Sequence, residues 1–388
     1  MLSRKTSLGG RKSMRKLIVA LGLALLAISC GPSGERPEEP SEGGEDVTLR
    51  VVDSIGVEMG DSNYVFGAIE AVDFGTDGNI YVLDRSASCV KVYTPEGEFL
   101  RQIAEKGSGP GEISNPLDMT VLGDGRVAVC APYQNGIHTY SAQGEWLGLS
   151  AEFFNNPPMN MVGVDSNAFL AMKLTIDFGE EEPVTDFLVG RYEESNEPSV
   201  VYRQNSIPFD PQDLTGLLMN TYYSYVMTGD RQANVYVSPY STEDYIVQVL
   251  DKDGEERLCI TRDDIDRVRR TPEEIQAEKD YMEGWLRSIG ASGVVINFTP
   301  KPYRWMVSSL GVDGEGRIWV RRGTELLPFF DVYGPDGELL FTASVEGLSD
   351  ESQFWVTHID EHGFLAYSEN PIDYQRIYVL QMSGTGEL

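Results

Sequence analysis

Four cations stand out along a chain that is otherwise strongly acidic: Arg85, Lys173, Arg321 and Arg322. Each lies at the end of a short apolar run, where the chain turns polar. Brought together, they would suit an anionic ligand, because the arginine fork matches carboxylate and phosphate geometry. Tyr133 and Tyr240 stand at comparable points, in PYQN and SPYS, and add aromatic surface. A second set is rich in oxygen. It comprises Asp84, Asn135, Glu369 and Asn370, whose spacing carries no signature of a metal site. The plainer alternative is that Asp84 and the arginines pair with one another and only hold loops together.

Other chemistry is poorly represented. No GxSxG, HExxH or GxxxxGK[ST] occurs. His138, His358 and His362 are scattered, and are expected to be ordinary residues rather than ligands. Cys30, Cys89, Cys130 and Cys259 lack zinc spacing. With Cys30 set aside, they allow at most one disulfide and one thiol. KGSGPGEISNP (106–116) has the look of a phosphate loop. Such a loop needs a helix N-terminus after it, and Pro116 followed by an apolar strand excludes one. The stretch is expected to connect two structural units.

The elements that must position these residues recur. In EAVDFGTDGNIYVLDRSASCVKVYTPEGEFLRQI (70–103), Asp77-Gly78 and Glu96-Gly97 punctuate four short strands, as hairpin turns require. The same plan returns over 119–150, 161–202, 225–260, 305–345 and 354–382. The third copy carries a longer middle loop, Leu174–Asp186. The last stops after three strands. Such units cannot bury their own faces and must pack on one another, and radial closure achieves this with few exposed edges. The fold class expected is all-β, a six-bladed β-propeller. VTLRVVD (47–53), with Val47, Leu49 and Val51 on one face, is expected to supply the missing strand and close the ring. Residues 261–303 break the pattern. Thr271-Pro272-Glu273-Glu274 opens a helix there. Ile275, Met282, Leu286 and Ile289, with Trp285 beside them, form its apolar stripe, and Gly290 ends it. This helix is expected either to stand as a lid on the ring or to cover a gap between blades 4 and 5.

The N-terminus is separate. Six basic residues precede LIVALGLALLAI (17–28), an apolar run suited to a secretory signal, followed by Ser29-Cys30. Residues 31–46 are Gly, Pro, Ser, Glu, Arg and Asp only, a composition that cannot bury enough surface to fold. Of 31 basic and 61 acidic residues, removal of the signal leaves 25 against 61. So acidic a body repels nucleic acid.

Two resemblances add to this. LLAISC is similar to a bacterial lipoprotein signal, which implies residues 1–29 as signal, Cys30 as the lipidated residue and 30–46 as a tether. Gly31, with no Asp after the cysteine, implies the outer membrane. GNIYVLDRSASCVKVYTPEGEFLRQIAEKGSGPGEISNPLDMTVLGDGRVAV resembles NHL repeats, and the whole chain resembles bacterial six-bladed β-propeller lipoproteins. The resemblance implies a monomeric propeller over 47–388 that meets the membrane only through its lipid. The second-to-third-strand loops would then meet at one mouth of the channel, bringing together Asp84, Arg85, Tyr133, Asn135, Lys173, Tyr240, Arg321, Arg322, Glu369 and Asn370. The function expected is binding of an envelope protein, a glycan or an anionic small molecule, with no cofactor and no assigned reaction. The alternative, implied by resemblance to six-bladed propellers that are metal-dependent lactonases or esterases, is a hydrolase or lactonase with Ca2+ in the channel, held by Asp84, Asn135, Glu369 and Asn370.

Overall fold

The computed structural model describes residues 47–153, 157–178, 183–209, 224–288, 300–368, 371 and 373–383. The expected signal, Cys30 and tether lie outside the described residues, as do Glu369, Asn370, Ile289 and Gly290.

Six inner strands, Ile69–Phe74, Asp118–Val121, Met159–Gly163, Tyr225–Gly229, Val307–Val312 and Trp355–Asp360, begin six units. Each inner strand touches the next, and the last touches the first. Each unit is an antiparallel meander, and in the sixth the fourth place is taken by Val47–Ile55. The result is a β-propeller. Asp-Gly turns make the meander. In the first two units Gly78 and Gly125 stand at φ +77° and +84°, where a side chain would be strained, and Asp77 and Asp124 accept the N–H groups of Asn79 and Arg126.

Packing explains why the middle strands read as continuous apolar runs. Among the described residues the core is divided into six clusters, one at each contact between neighbouring blades. Successive side chains of a strand point to opposite faces. In Ile80–Asp84, Tyr81 and Leu83 therefore join the cluster shared with blade two, while Ile80 and Val82 join the one shared with blade six.

The closing strand pairs antiparallel with Ile377–Ser383 and parallel with Leu339–Glu346 of blade five. The second pairing was not foreseen, and it joins blades five and six into one eight-stranded sheet. The apolar face also differs from the expected Val47, Leu49 and Val51. A bulge between Val51 and Asp53 shifts the register, so Leu49 and Ile55 are buried and Val51 is exposed. The long loop expected at Leu174–Asp186 is instead strand at both its ends. Phe169–Asp177 and Val184–Tyr192 pair from Phe169–Tyr192 out to Asp177–Val184, a hairpin longer than its counterparts.

The helix runs Pro272–Ser288. Thr271 and Glu274 form a capping box: Glu274 Oε2 accepts the Thr271 N–H at 2.8 Å, and Thr271 Oγ1 accepts the Glu274 N–H at 3.3 Å. The neck of the insertion is zipped by Arg270 N–H to Pro302 O and Arg304 N–H to Val268 O. Ile275 is half-buried. The side chains of Met282, Trp285 and Leu286 lie outside the described residues. Among the described residues no helix is long and apolar enough to cross a membrane.

The glycine stretch is a connector between blades one and two. Glu105–Lys106 and Glu112–Ile113 form a short parallel ladder. Glu112 Oε2 accepts the Gly109 N–H at 2.7 Å, so the loop's own carboxylate occupies the place an anion would take.

Candidate functional site

The inner strands enclose a cavity of about 690 Å³ along the ring axis. All six contribute to its wall. Much of that wall is apolar, including Met119, Met159, Met161, Met227 and Leu310. Tyr133 and Tyr240 line it at the mouth formed by the second-to-third-strand loops. Leu174 and Ile176 of the long third-blade hairpin extend the wall. The other mouth is crossed by Arg231, from the first turn of blade four. Its guanidinium donates to Val121 O at 2.9 Å and to Phe74 O at 3.5 Å, and its Nε lies 3.7 Å from Glu361 Oε1. One side chain thereby ties blades four, two, one and six across that end. A smaller cavity of about 360 Å³ lies beneath the helix and shares Tyr240 and Ser308 with the axial one. Glu274, paired with Arg304 at 2.6 Å, and Glu278, paired with Arg270, hold the helix over it.

Of the residues singled out in the sequence, Tyr133 and Tyr240 line the axial cavity, and Tyr240 and Arg321 line the smaller one. Burial pushes the Tyr240 hydroxyl up to about 12. Asp84, Arg85, Asn135, Lys173 and Arg322 line neither cavity. The four cations do not converge; each is held within the scaffold. Arg85 Nε lies 2.9 Å from Glu70 Oε2. Lys173 donates to Asn196 O, sits above the Phe153 ring, and has its pKa lowered by burial. Arg321 and Arg322 are successive residues of one strand, so they point to opposite faces. Arg321 donates to the carbonyls of Trp355 and Gln353 in blade six, and burial pushes it down to about 10. Arg322 grips Asp331 with two bonds of 2.6 and 2.7 Å. Asp84 accepts the N–H groups of Gly67, Ala68 and Ala87. Asn135 takes φ 70° at the end of the Pro132–Gln134 turn. The oxygen set named for Ca2+ is therefore not gathered around the channel by Asp84 and Asn135.

The polar groups that do face the axis come from inner strands and were missed. Asp73 Oδ2 accepts from Thr120 Oγ1 at 2.7 Å and Val121 N–H at 2.8 Å, linking blades one and two. Asp118 Oδ2 accepts the Met161 N–H at 2.7 Å, linking blades two and three. His358 Nε2 lies 3.3 Å from Asp73 Oδ1 across the ring closure. Burial raises Asp73, but the bond and charge of His358, the Arg231 charge and the Val121 N–H outweigh it and hold the carboxyl below its ordinary value. Burial opposes the charged His358, yet the bond and charge of Asp73, with Asp360 beside them, raise it above the usual imidazole range. A charged residue inside an otherwise apolar strand, as in AVDF or PLDM, is the signal that could have found these groups.

Asp118 gives a testable pH dependence. Burial pushes its carboxyl up to about 7, against the opposing N–H bonds of Met161 and Met119. An unfolded aspartate titrates near ~3.9. The native state therefore holds the proton more tightly. The stability from this group is full below about pH 4 and falls away as pH rises towards about 7, by a few kcal/mol at about 1.4 kcal/mol per unit. Asp118→Asn cannot ionise and should flatten this slope. Urea midpoints at pH 4, 5.5 and 8 measure it, and equal slopes in wild type and variant would refute the assignment.

A family model described as 6-bladed beta-propeller matches residues 48–170. The ring and the match agree on six blades. The chain is a six-bladed β-propeller. Solved structures similar to this propeller include a DUF4221-family member from Bacteroides vulgatus, at 10% identity and a TM-score of 0.50, covering 88% of this chain and all of that one. A calcium-binding protein, regucalcin, from Agrobacterium tumefaciens has 12% identity and a TM-score of 0.42, covering 86% of this chain and 94% of that one. Virginiamycin B lyase from Staphylococcus aureus has 9% identity and a TM-score of 0.43, covering 87% and 99%. Such low identity speaks to the fold alone. No curated protein matches the chain.

Proposed function

We propose that this propeller is a lipid-anchored binding protein of a bacterial envelope, held through Cys30, that takes a small amphipathic ligand into its axial cavity. The observation that carries the reading is the cavity itself. It is about 690 Å³, walled by methionines and aliphatic side chains, fringed by Tyr133 and Tyr240, and crossed at its far end by Arg231. Apolar walls with a few convergent polar groups are the usual make-up of a small-molecule site. Methionine suits such a wall because its side chain adapts to irregular shapes. The cations once suited to an anion are engaged by carboxylates and carbonyls, so the ligand's apolar body supplies most of the affinity.

The test uses Nile red as an apolar probe. The wild type is expected to bind it with enhanced fluorescence. Met227→Trp, which fills the cavity from blade four, should weaken binding at least tenfold while keeping the far-UV spectrum. A folded Met227→Trp variant that binds the dye as tightly as wild type would place the dye, and the ligand reading, elsewhere.

A further inference from the structure

The closed end of the axial cavity carries a cluster that the ligand reading does not use. Asp73 belongs to the inner strand of blade one, and His358 and Asp360 to that of blade six. One donor atom from each lies within 4.8 Å of the others. We infer that Asp73, His358 and Asp360 form a binding site for a first-row divalent metal ion, with Zn2+ and Co2+ the best matched.

Three observations carry this. The first is the imidazole. His358 Nε2 is buried, and its contact with Asp73 Oδ1, at 3.3 Å, is long and poorly aligned for a hydrogen bond. A buried ring nitrogen held by one long contact is incompletely satisfied, and a metal ion between it and the carboxylate would satisfy both. The second is spacing. A tetrahedral ion with ligands at about 2.0–2.2 Å sets its donor atoms about 3.4 Å apart. His358 and Asp73 already stand at that separation, and with all three donor atoms within 4.8 Å of one another Asp360 need approach by at most about 1.4 Å. The third is support. Thr120 Oγ1 and Val121 N–H fix the Asp73 carboxylate through Oδ2, while Oδ1 accepts the Phe74 N–H and faces His358. The His362 N–H fixes Asp360 through Oδ1 at 2.7 Å. Outer hydrogen bonds of this kind orient ligands for a metal.

The donor set selects the ion. One imidazole with two carboxylates suits Zn2+, Co2+ or Mn2+. Ca2+ prefers six to eight oxygens and finds too few here. Two carboxylates also balance a divalent charge, the imidazole giving up its proton as it binds the ion. Arg231, at the same end of the channel, opposes the ion, although Glu361 partly offsets its charge. Asp73 and His358 line the cavity, so the ion's remaining position faces whatever the cavity holds.

The experiment uses the full-length protein, stripped with chelator and dialysed against Co2+ or Zn2+. Wild type is expected to take up one ion per chain, with visible Co2+ absorption bands of a four- or five-coordinate site. A thousandfold excess of Ca2+ should not displace it. His358→Gln and Asp360→Asn should each weaken uptake at least tenfold, and Arg231→Gln should tighten it. Wild-type protein without Co2+ bands or stoichiometric uptake overturns the site, whatever the variants do. So does uptake that both folded variants retain. If His358→Gln does not fold, Asp360→Asn and the wild-type spectrum decide. Nile red binding is independent of these readouts, so the site and the ligand reading fail separately.

Discussion

Deleting residues 47–55 is expected to lower the melting temperature by more than about 5 °C, or to leave the chain aggregated. The strand buries Leu49 and Ile55 almost completely, at 1% and 2% exposure. Each such side chain contributes about 1.5–3 kcal/mol on burial, and in a domain of this size, at about 2.1 cal/mol/K per residue, about 1 kcal/mol moves the midpoint by roughly 1.5 °C. The deletion also strips both neighbours of their ladder partner. Leu339–Glu346 and Ile377–Ser383 would become open edges, and an exposed edge recruits other chains. Thermal unfolding with size-exclusion chromatography reads both effects. A monomer with an unchanged midpoint would show that the ring closes without this strand.

Asp331→Ala is expected to cost about 3–5 kcal/mol, the range for stripping a buried ion pair of one partner. Asp331 is wholly buried in the third strand of blade five. It receives two bonds from Arg322, one from the Tyr245 hydroxyl at 2.9 Å, and an ion pair from Arg262 at 3.5 Å. Tyr245 and Arg262 belong to blade four, so this carboxylate joins two blades. Its removal leaves two guanidinium groups half-buried with their shared anion gone. Denaturant unfolding of Asp331→Ala, Arg322→Met and the double variant tests the cause. If unpaired charge dominates, the double variant loses less than the two single losses combined. Simple additivity would assign the cost to the cavity instead.

The fold was legible because its repeat is local. An Asp-Gly turn between two apolar runs states a hairpin within a dozen residues, and that statement recurs along the chain. The long third-blade hairpin was misread because Leu174 to Asp186 mixes apolar and acidic residues without a turn signature. The site was far less legible. Arg321 and Arg322 look like a pair in sequence, but strand alternation sends one to blade six and the other to Asp331. Arg85 and Lys173 look available, yet Glu70 pairs with the first and the Asn196 carbonyl takes the second. Asp73 and His358 stand near opposite ends of the chain, and only ring closure makes them neighbours. No local pattern records that meeting.

Arg231 has a kinetic consequence. With its guanidinium laid across one end, the ring is a cup rather than a tube. Under the proposed ligand reading, an occupant would leave by the route it came in, past Tyr133 and Tyr240. A partner seated over that rim would slow arrival and escape by the same factor and leave the equilibrium untouched. Occupancy would then be set by the cup and its lifetime by the company it keeps.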